Sequence, residues 1–271
     1  MKEYYDQIQA CATFILNQCT DRPQTAIILG SGLGDIVDQL NETIVFPYES
    51  LPNFPQSTVS GHQGRLFIGK LNGKPILAMQ GRVHYYEGYS MKEVVFPIYV
   101  LKAIGIQTLI LTNACGGINP SYTPGDIVLV NDFINLAFDN PLIGINDPRL
   151  GVRFPDMSEP YKQFLIDQAL AVDGSLKQGV YGFFSGPYYE TKAEIQAFKI
   201  LGCDLIGMST VPETIAANHA GMDVLAFSVV TNMATGIQTV KHDHARVVEM
   251  ANQAAIRLSQ ILLDLLSKDA K

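Results

Sequence analysis

Runs of apolar, β-branched residues alternate along this chain with stretches of helical periodicity, and that alternation restricts the fold more than any other feature. It predicts strands near 25–30, 65–69, 75–80, 107–112, 126–130, 179–184, 204–207 and 223–230, with helices near 3–18, 91–103, 161–171, 191–201, 211–220 and 243–267. Strands and helices in such an order build an α/β fold, a sheet covered by helices. The last helix puts Val247, Met250, Ala251, Ala254, Leu258, Ile261, Leu262 and Leu265 on one stripe, the pattern of a helix lying along a sheet. Because 47% of the 271 residues are apolar and 17% charged, the chain can bury a substantial core. No repeat, low-complexity tract or linker divides it, so one domain over 1–271 is expected. The longest stretch without periodicity runs from Asn131 to Pro160 and carries Pro141, Pro148, Pro155 and Pro160; long ordered loops are usually functional.

Charge narrows the partners. Nineteen basic and 26 acidic residues give a net charge of −7, and no cluster of Lys and Arg is present to follow a nucleic-acid backbone or an anionic membrane. A small-molecule partner is favoured. The opening "MKEYYDQIQACATFILNQ" is amphipathic, and no apolar run reaches 18 residues, so neither export nor a membrane span is expected. Cys11, Cys19, Cys115 and Cys203 lie far apart with no CxxC pair, which speaks against zinc and disulfides and for reduced thiols in a cytoplasmic protein.

Several strand ends carry chemistry. "TAIILGSGLG" (Thr25–Gly34) ends a strand in three glycines, but the third comes one position too early for a dinucleotide fingerprint and Asp35 stands in its place. The stretch alone leaves a phosphate site and a ligand-free turn equally open. "MQGRVHYYEGY" places Arg82, His84 and Tyr86 at alternating positions, where an extended segment turns all three to one side. An arginine and a histidine so placed suit an oxyanion, although a solvated rim, or an Arg82–Glu87 surface pair, fits the spacing as well. "LTNACGGINP" reads as a strand ending in a glycine-rich turn whose amides can form an anion-binding nest. "GHQGRLFIGK" imitates a P-loop, but Leu71 stands where a magnesium-binding hydroxyl belongs and "RLFI" reads as strand. His242 and His244 lack the partners of a metal site.

Taken together, "GSGLG", "SGHQGRL", "QGRVHYYEGY", "TNACGGINP", "GPYYETKAEI", "GMSTVPE" and Thr231-Asn232 occur in the order and spacing of the trimeric purine nucleoside phosphorylases. The chain resembles that family from about Ile27 to His244. The resemblance implies a three-layer αβα domain around a mixed, partly barrel-like sheet, and reversible phosphorolysis of inosine and guanosine or their deoxy forms in purine salvage. Phosphate is the co-substrate, and no metal or organic cofactor is implied. By the same resemblance Ser31, Arg82, His84, Ser209 and the Ala114 backbone hold phosphate, with His62 at the mouth of that site. Tyr86, Met208 and His244 face the ribose; Glu190 and Asn232 read the purine between Tyr189 and Ile206. "VRFPDMS" matches a loop whose phenylalanine covers the neighbour's ribose, which implies a homotrimer with Phe154 acting in trans. Asn232, Glu190 and His84 are the groups expected to carry catalysis.

The chemistry of the base pair of residues is coherent by itself. A 6-oxopurine offers N1–H to the Glu190 carboxylate and O6 to the Asn232 amide, whereas adenine offers neither. Bare structural roles compete: Glu190 suits the first turn of a helix and Met208 suits a core. Departures from the family pattern are Tyr189 in place of phenylalanine, and Cys115 and Thr235 in place of alanine.

Overall fold

The computed structural model describes residues 2–59, 63–237 and 244–267, with the side chains of Lys2, Asp35 and 244–246 left out of the description. Among the described residues nine strands form one mixed sheet. They are β1 (Thr25–Leu29), β2 (Asn41–Pro47), β3 (Arg65–Leu71), β4 (Lys74–Gln80), β5 (Thr108–Gly117), β6 (Ile127–Asn135), β7 (Lys177–Phe183), β8 (Leu205–Gly207) and β9 (Asp223–Met233). Their order is β2-β3-β4-β1-β5-β8-β7-β6-β9, and a second pairing of β5 with β9 closes the last five strands into a small barrel. β1 lies parallel to both β4 and β5, and β5 parallel to β9, so four carboxyl ends meet at one edge. In open α/β sheets that edge is where ligands bind.

The helices are α1 (Lys2–Leu16), α2 (Met91–Val94), α3 (Phe96–Ile104), α4 (Gln163–Val172), α5 (Lys192–Leu201), α6 (Val211–His219) and α7 (His244–Ser267). α1, α3 and α6 pack as one group and α4 with α7 as another. The α7 stripe is seated as its periodicity predicts: Ala251, Ala254, Leu258, Ile261, Leu262 and Leu265 are buried. The helix predicted over 91–103 is broken at Val95, because Pro97 has no N–H for the carbonyl four residues earlier.

Three expectations change. β2 has no counterpart in the sequence reading; most of its residues are exposed and its pairing with β3 slips between Asn41 and Ile44, so no clean alternation marks it. β5 continues to Gly117, so Asn113–Gly117 joins the ladders with β9 and β8 and is not a glycine turn. The packing there is close: a Cβ on Gly117 would come within 3.0 Å of Met233 Sδ and one on Gly116 within 3.1 Å of Ile206 Cγ2, so either side chain would have to give by a few tenths of an ångström. β6 reaches Asn135, which moves the start of the irregular segment to residue 136. The P-loop imitation falls in β3, as "RLFI" predicted.

Candidate active site

A cavity of about 740 Å³, its open mouth included, sits where the carboxyl ends of β1, β4, β5 and β9 converge with β8 and the start of α7. Ser31 reaches it from the turn after β1, Arg82, His84 and Tyr86 from the segment after β4, and Met208 and Ser209 from the turn after β8. The Gly30–Gly34 turn is built for close approach. A Cβ on Gly30 would lie 2.8 Å from Thr112 O of β5, and Gly32 takes φ 74° directly beneath Ala251 of α7. The turn feeds a 3-10 helix over Gly34–Gln39, so no α-helix dipole points at the ligand from this side.

Arg82, His84, Ser31 and Ser209 give part of the lining the chemistry to hold an anion. Arg82 is 3% exposed; its Nε donates to Glu213 Oε1 at 2.9 Å, and one terminal nitrogen donates to Thr112 O at 2.7 Å. The same nitrogen lies 3.4 Å from Ser209 Oγ. Arg82 is therefore a buried, clamped guanidinium and not the surface partner of Glu87. Glu87 serves His84 instead: Oε1 accepts the His84 backbone N–H at 2.7 Å and faces Nδ1 at 3.0 Å, while Oε2 accepts both the N–H and the hydroxyl of Thr58 at 2.6 Å. Burial pushes the Glu87 carboxyl up, but the hydrogen bonds from His84 and Thr58 outweigh it and hold the pKa at about 2. Burial lowers the His84 pKa, against the Glu87 bond that raises it. A neutral ring donating Nδ1–H to ionised Glu87 keeps Nε2 as its acceptor. The His84 and Tyr86 rings stack at 4.7 Å.

The same lining also carries a carboxylate and an amide. Glu190 is buried, and desolvation raises its carboxyl pKa to about 7. The helix-cap alternative for Glu190 is ruled out by its neighbours: Thr191 caps α5, accepting Glu194 N–H at 3.2 Å, and Glu194 completes the capping box. Glu190 precedes the cap and lines the cavity. Asn232, near the end of β9, receives the Thr231 hydroxyl on Oδ1 at 2.9 Å and donates from Nδ2 to Met233 O at 3.3 Å. These two bonds hold the amide plane at the cavity wall. Tyr189, Ile206 and Met208 also line the cavity.

Against this geometry stand the chain's similarities. Residues 24–267 match the model of the phosphorylase superfamily. The chain is 49% identical over 246 residues to purine nucleoside phosphorylase 1 of Geobacillus stearothermophilus, covering 89% of this chain and 90% of the relative. The chain belongs to the purine nucleoside phosphorylases. Solved structures of the Schistosoma mansoni enzyme superpose on it: the complex with inosine at TM-score 0.92 and 36% identity, covering 98% of this chain and 97% of that one. The complex with adenosine gives TM-score 0.93 and 38% identity, covering 98% of both.

This phosphorylase gathers most of the sequence-predicted residues into the one cavity: Ser31, Arg82, His84, Tyr86, Ala114, Tyr189, Glu190, Ile206, Met208, Ser209 and Asn232 all line it. Phe154 is not among them; it stands 86% exposed on the irregular segment. His62 and the His244 side chain lie outside the described residues. Sequence reasoning missed Asn113, Thr231, Ala234 and Val247, which also line the cavity. Thr231 and Asn113 carried a signal, each adjoining a residue already singled out; Val247 carried none, since its helical stripe marks it as core. Among the described residues no group of His, Cys, Asp and Glu is arranged to hold a metal ion, and no helix is long and apolar enough to cross a membrane.

Proposed function

We propose that this phosphorylase acts on 6-oxopurine ribonucleosides and deoxyribonucleosides, inosine and guanosine first, exchanging the base for inorganic phosphate in purine salvage. The observation that carries the reading is the chemistry gathered in one cavity: a clamped arginine, a histidine and two serine hydroxyls suited to phosphate, together with a buried carboxylate and an amide suited to a purine edge. Phosphate held by the first of these sets attacks C1′ from the face opposite the base while the sugar develops oxocarbenium character, and the product is the inverted α-pentose 1-phosphate. Charge flowing into the leaving base is met by Asn232 Oδ1 at a forming N7–H and by Glu190 at N1–H, bonds that strengthen toward the transition state. His84 Nε2, as an acceptor, suits the proton that phosphate retains near neutrality. No protein nucleophile, metal or organic cofactor enters the step; positioning and electrostatics supply it.

Inosine and guanosine are expected to yield free base only when phosphate or arsenate is present. Hypoxanthine release measured with and without phosphate checks this; equal rates would leave a hydrolase in its place.

The same reading makes the protein a homotrimer in the cytoplasm. Phe138, Ile143, Ile145, Val152 and Phe154 stand exposed within one irregular segment, an apolar content that favours an interface over solvent. In a closed ring the contact is heterologous, so each subunit lends Phe154 to one neighbour's ribose and receives one from the other. A ring over the sugar keeps water from C1′. Coexpressed Phe154→Ala and Asn232→Ala chains are expected to form mixed trimers with some intact composite sites. Purified mixed trimers then exceed the mean activity of the two parents; activity at that mean counts against the shared site.

A further inference from the structure

Behind the cavity wall one carboxylate holds two arms of the anion cradle at once. Glu213, 4% exposed and in the first turn of α6, accepts Arg82 Nε–H on Oε1 at 2.9 Å and the Thr210 backbone N–H on Oε2 at 2.8 Å. It does not line the cavity itself.

The Thr210 peptide is unusual. The residue has φ 76° and ψ −49°, and Val211 N–H donates to Ser209 O at 2.8 Å, so Ser209–Val211 is a three-residue turn of the rare, strained hand. A β-branched residue avoids that region unless its surroundings impose it. Here Asn113 Nδ2 donates to Thr210 Oγ1 at 2.9 Å, the Thr214 hydroxyl donates to Thr210 O at 2.9 Å, and Glu213 takes the amide. What the turn delivers is Ser209, whose hydroxyl comes to 3.4 Å from the Arg82 guanidinium and 3.2 Å from Thr210 Oγ1. Strain of this kind gathers at sites where geometry matters to function.

We infer that Glu213 is a positioning residue for phosphate, joining Arg82 and the Ser209 turn into one rigid cradle through its two carboxylate oxygens. The inference rests on the phosphorolysis reading above. A buried ion pair loses its hydration, and an apolar pair of the same volume often stabilises a fold as well or better, so stability alone gives little reason for this one. Both Glu213 oxygens point at N–H donors that lie on different strand ends, and only a carboxylate of this length satisfies both. A glutamine has one acceptor; its NH₂ faces either the guanidinium or the strained amide, and one arm is released.

The test compares wild type, Glu213→Gln and Glu213→Asp for phosphate KM at saturating inosine, hypoxanthine Kd, and the rise in Tm that phosphate produces. The Gln variant is expected to raise phosphate KM about tenfold or more, while hypoxanthine Kd stays within about twofold. Its Tm rises only at about tenfold higher phosphate. Asp keeps the charge, falls one methylene short of spanning both donors, and lies between. An unchanged phosphate KM, or phosphate KM and hypoxanthine Kd worsening by the same factor, overturns the inference. Where the Gln chain does not fold, the Asp chain is read by the same ratio. A wild-type enzyme indifferent to phosphate overturns the phosphorolysis reading instead, so the two failures are distinct.

Discussion

Replacing Asn232 by alanine is expected to lower kcat on inosine by about 10²–10³, the usual loss when a hydrogen bond made in the transition state is removed. The side chain sits in the cavity with its Oδ1 already accepting from Thr231, which fixes the amide plane before substrate arrives. An amide held in this plane presents Oδ1 to N7–H with little rotamer entropy lost on binding. Asn232→Asp separates this role from packing. A carboxylate accepts from a 6-amino group and repels O6, so the adenosine-to-inosine activity ratio should rise; assays on both nucleosides check it, and an unchanged ratio removes Asn232 from base recognition.

The second large effect concerns Glu190 and pH. With its pKa near 7 in the empty cavity, Glu190 accepts N1–H through a charge-assisted bond only when ionised, and the protonated acid is a weaker neutral acceptor, so hypoxanthine affinity is expected to fall as pH drops below about 7. Glu190→Gln should lower kcat/KM on inosine at pH 8 by on the order of 10²-fold, the worth of a charge-assisted bond in a dry site, and flatten that pH dependence. Stability moves the other way. The folded pKa is raised above the unfolded value of about 4.3, so the folded chain binds more protons between the two and the empty enzyme loses stability as pH rises through this window. The Gln variant should therefore be at least as stable as wild type at pH 8. Calorimetric hypoxanthine titrations and thermal unfolding from pH 5 to pH 8 measure both; a Tm that falls sharply in the Gln chain at pH 8 assigns Glu190 a structural task.

Local pattern carried much of this protein. The periodicity of α7 and the β-branched runs of β1, β4 and β9 mark elements that bury one stripe or both faces, and burial writes itself into composition. The glycines of "GSGLG" and the alternation of Arg82, His84 and Tyr86 were readable because tight turns and extended segments constrain the residue types that form them. Edge strand β2 was not readable, since a mostly exposed strand needs no apolar face. Nor was the closure of β5 upon β9, which joins segments more than a hundred residues apart. Charge partners were the least legible. Arg82 has Glu87 five positions away in the sequence, yet it pairs with Glu213, 131 positions distant, while Glu87 turns to His84 and Thr58. A charge can pair at any sequence separation, and which partner it takes depends on which strand ends the sheet brings together and how deeply they are buried. The residue types of the site belong to the sequence; their pairing, their burial and the pKa near 7 of Glu190 belong to the tertiary structure, because dielectric surroundings and long-range distances exist only once the chain has closed upon itself.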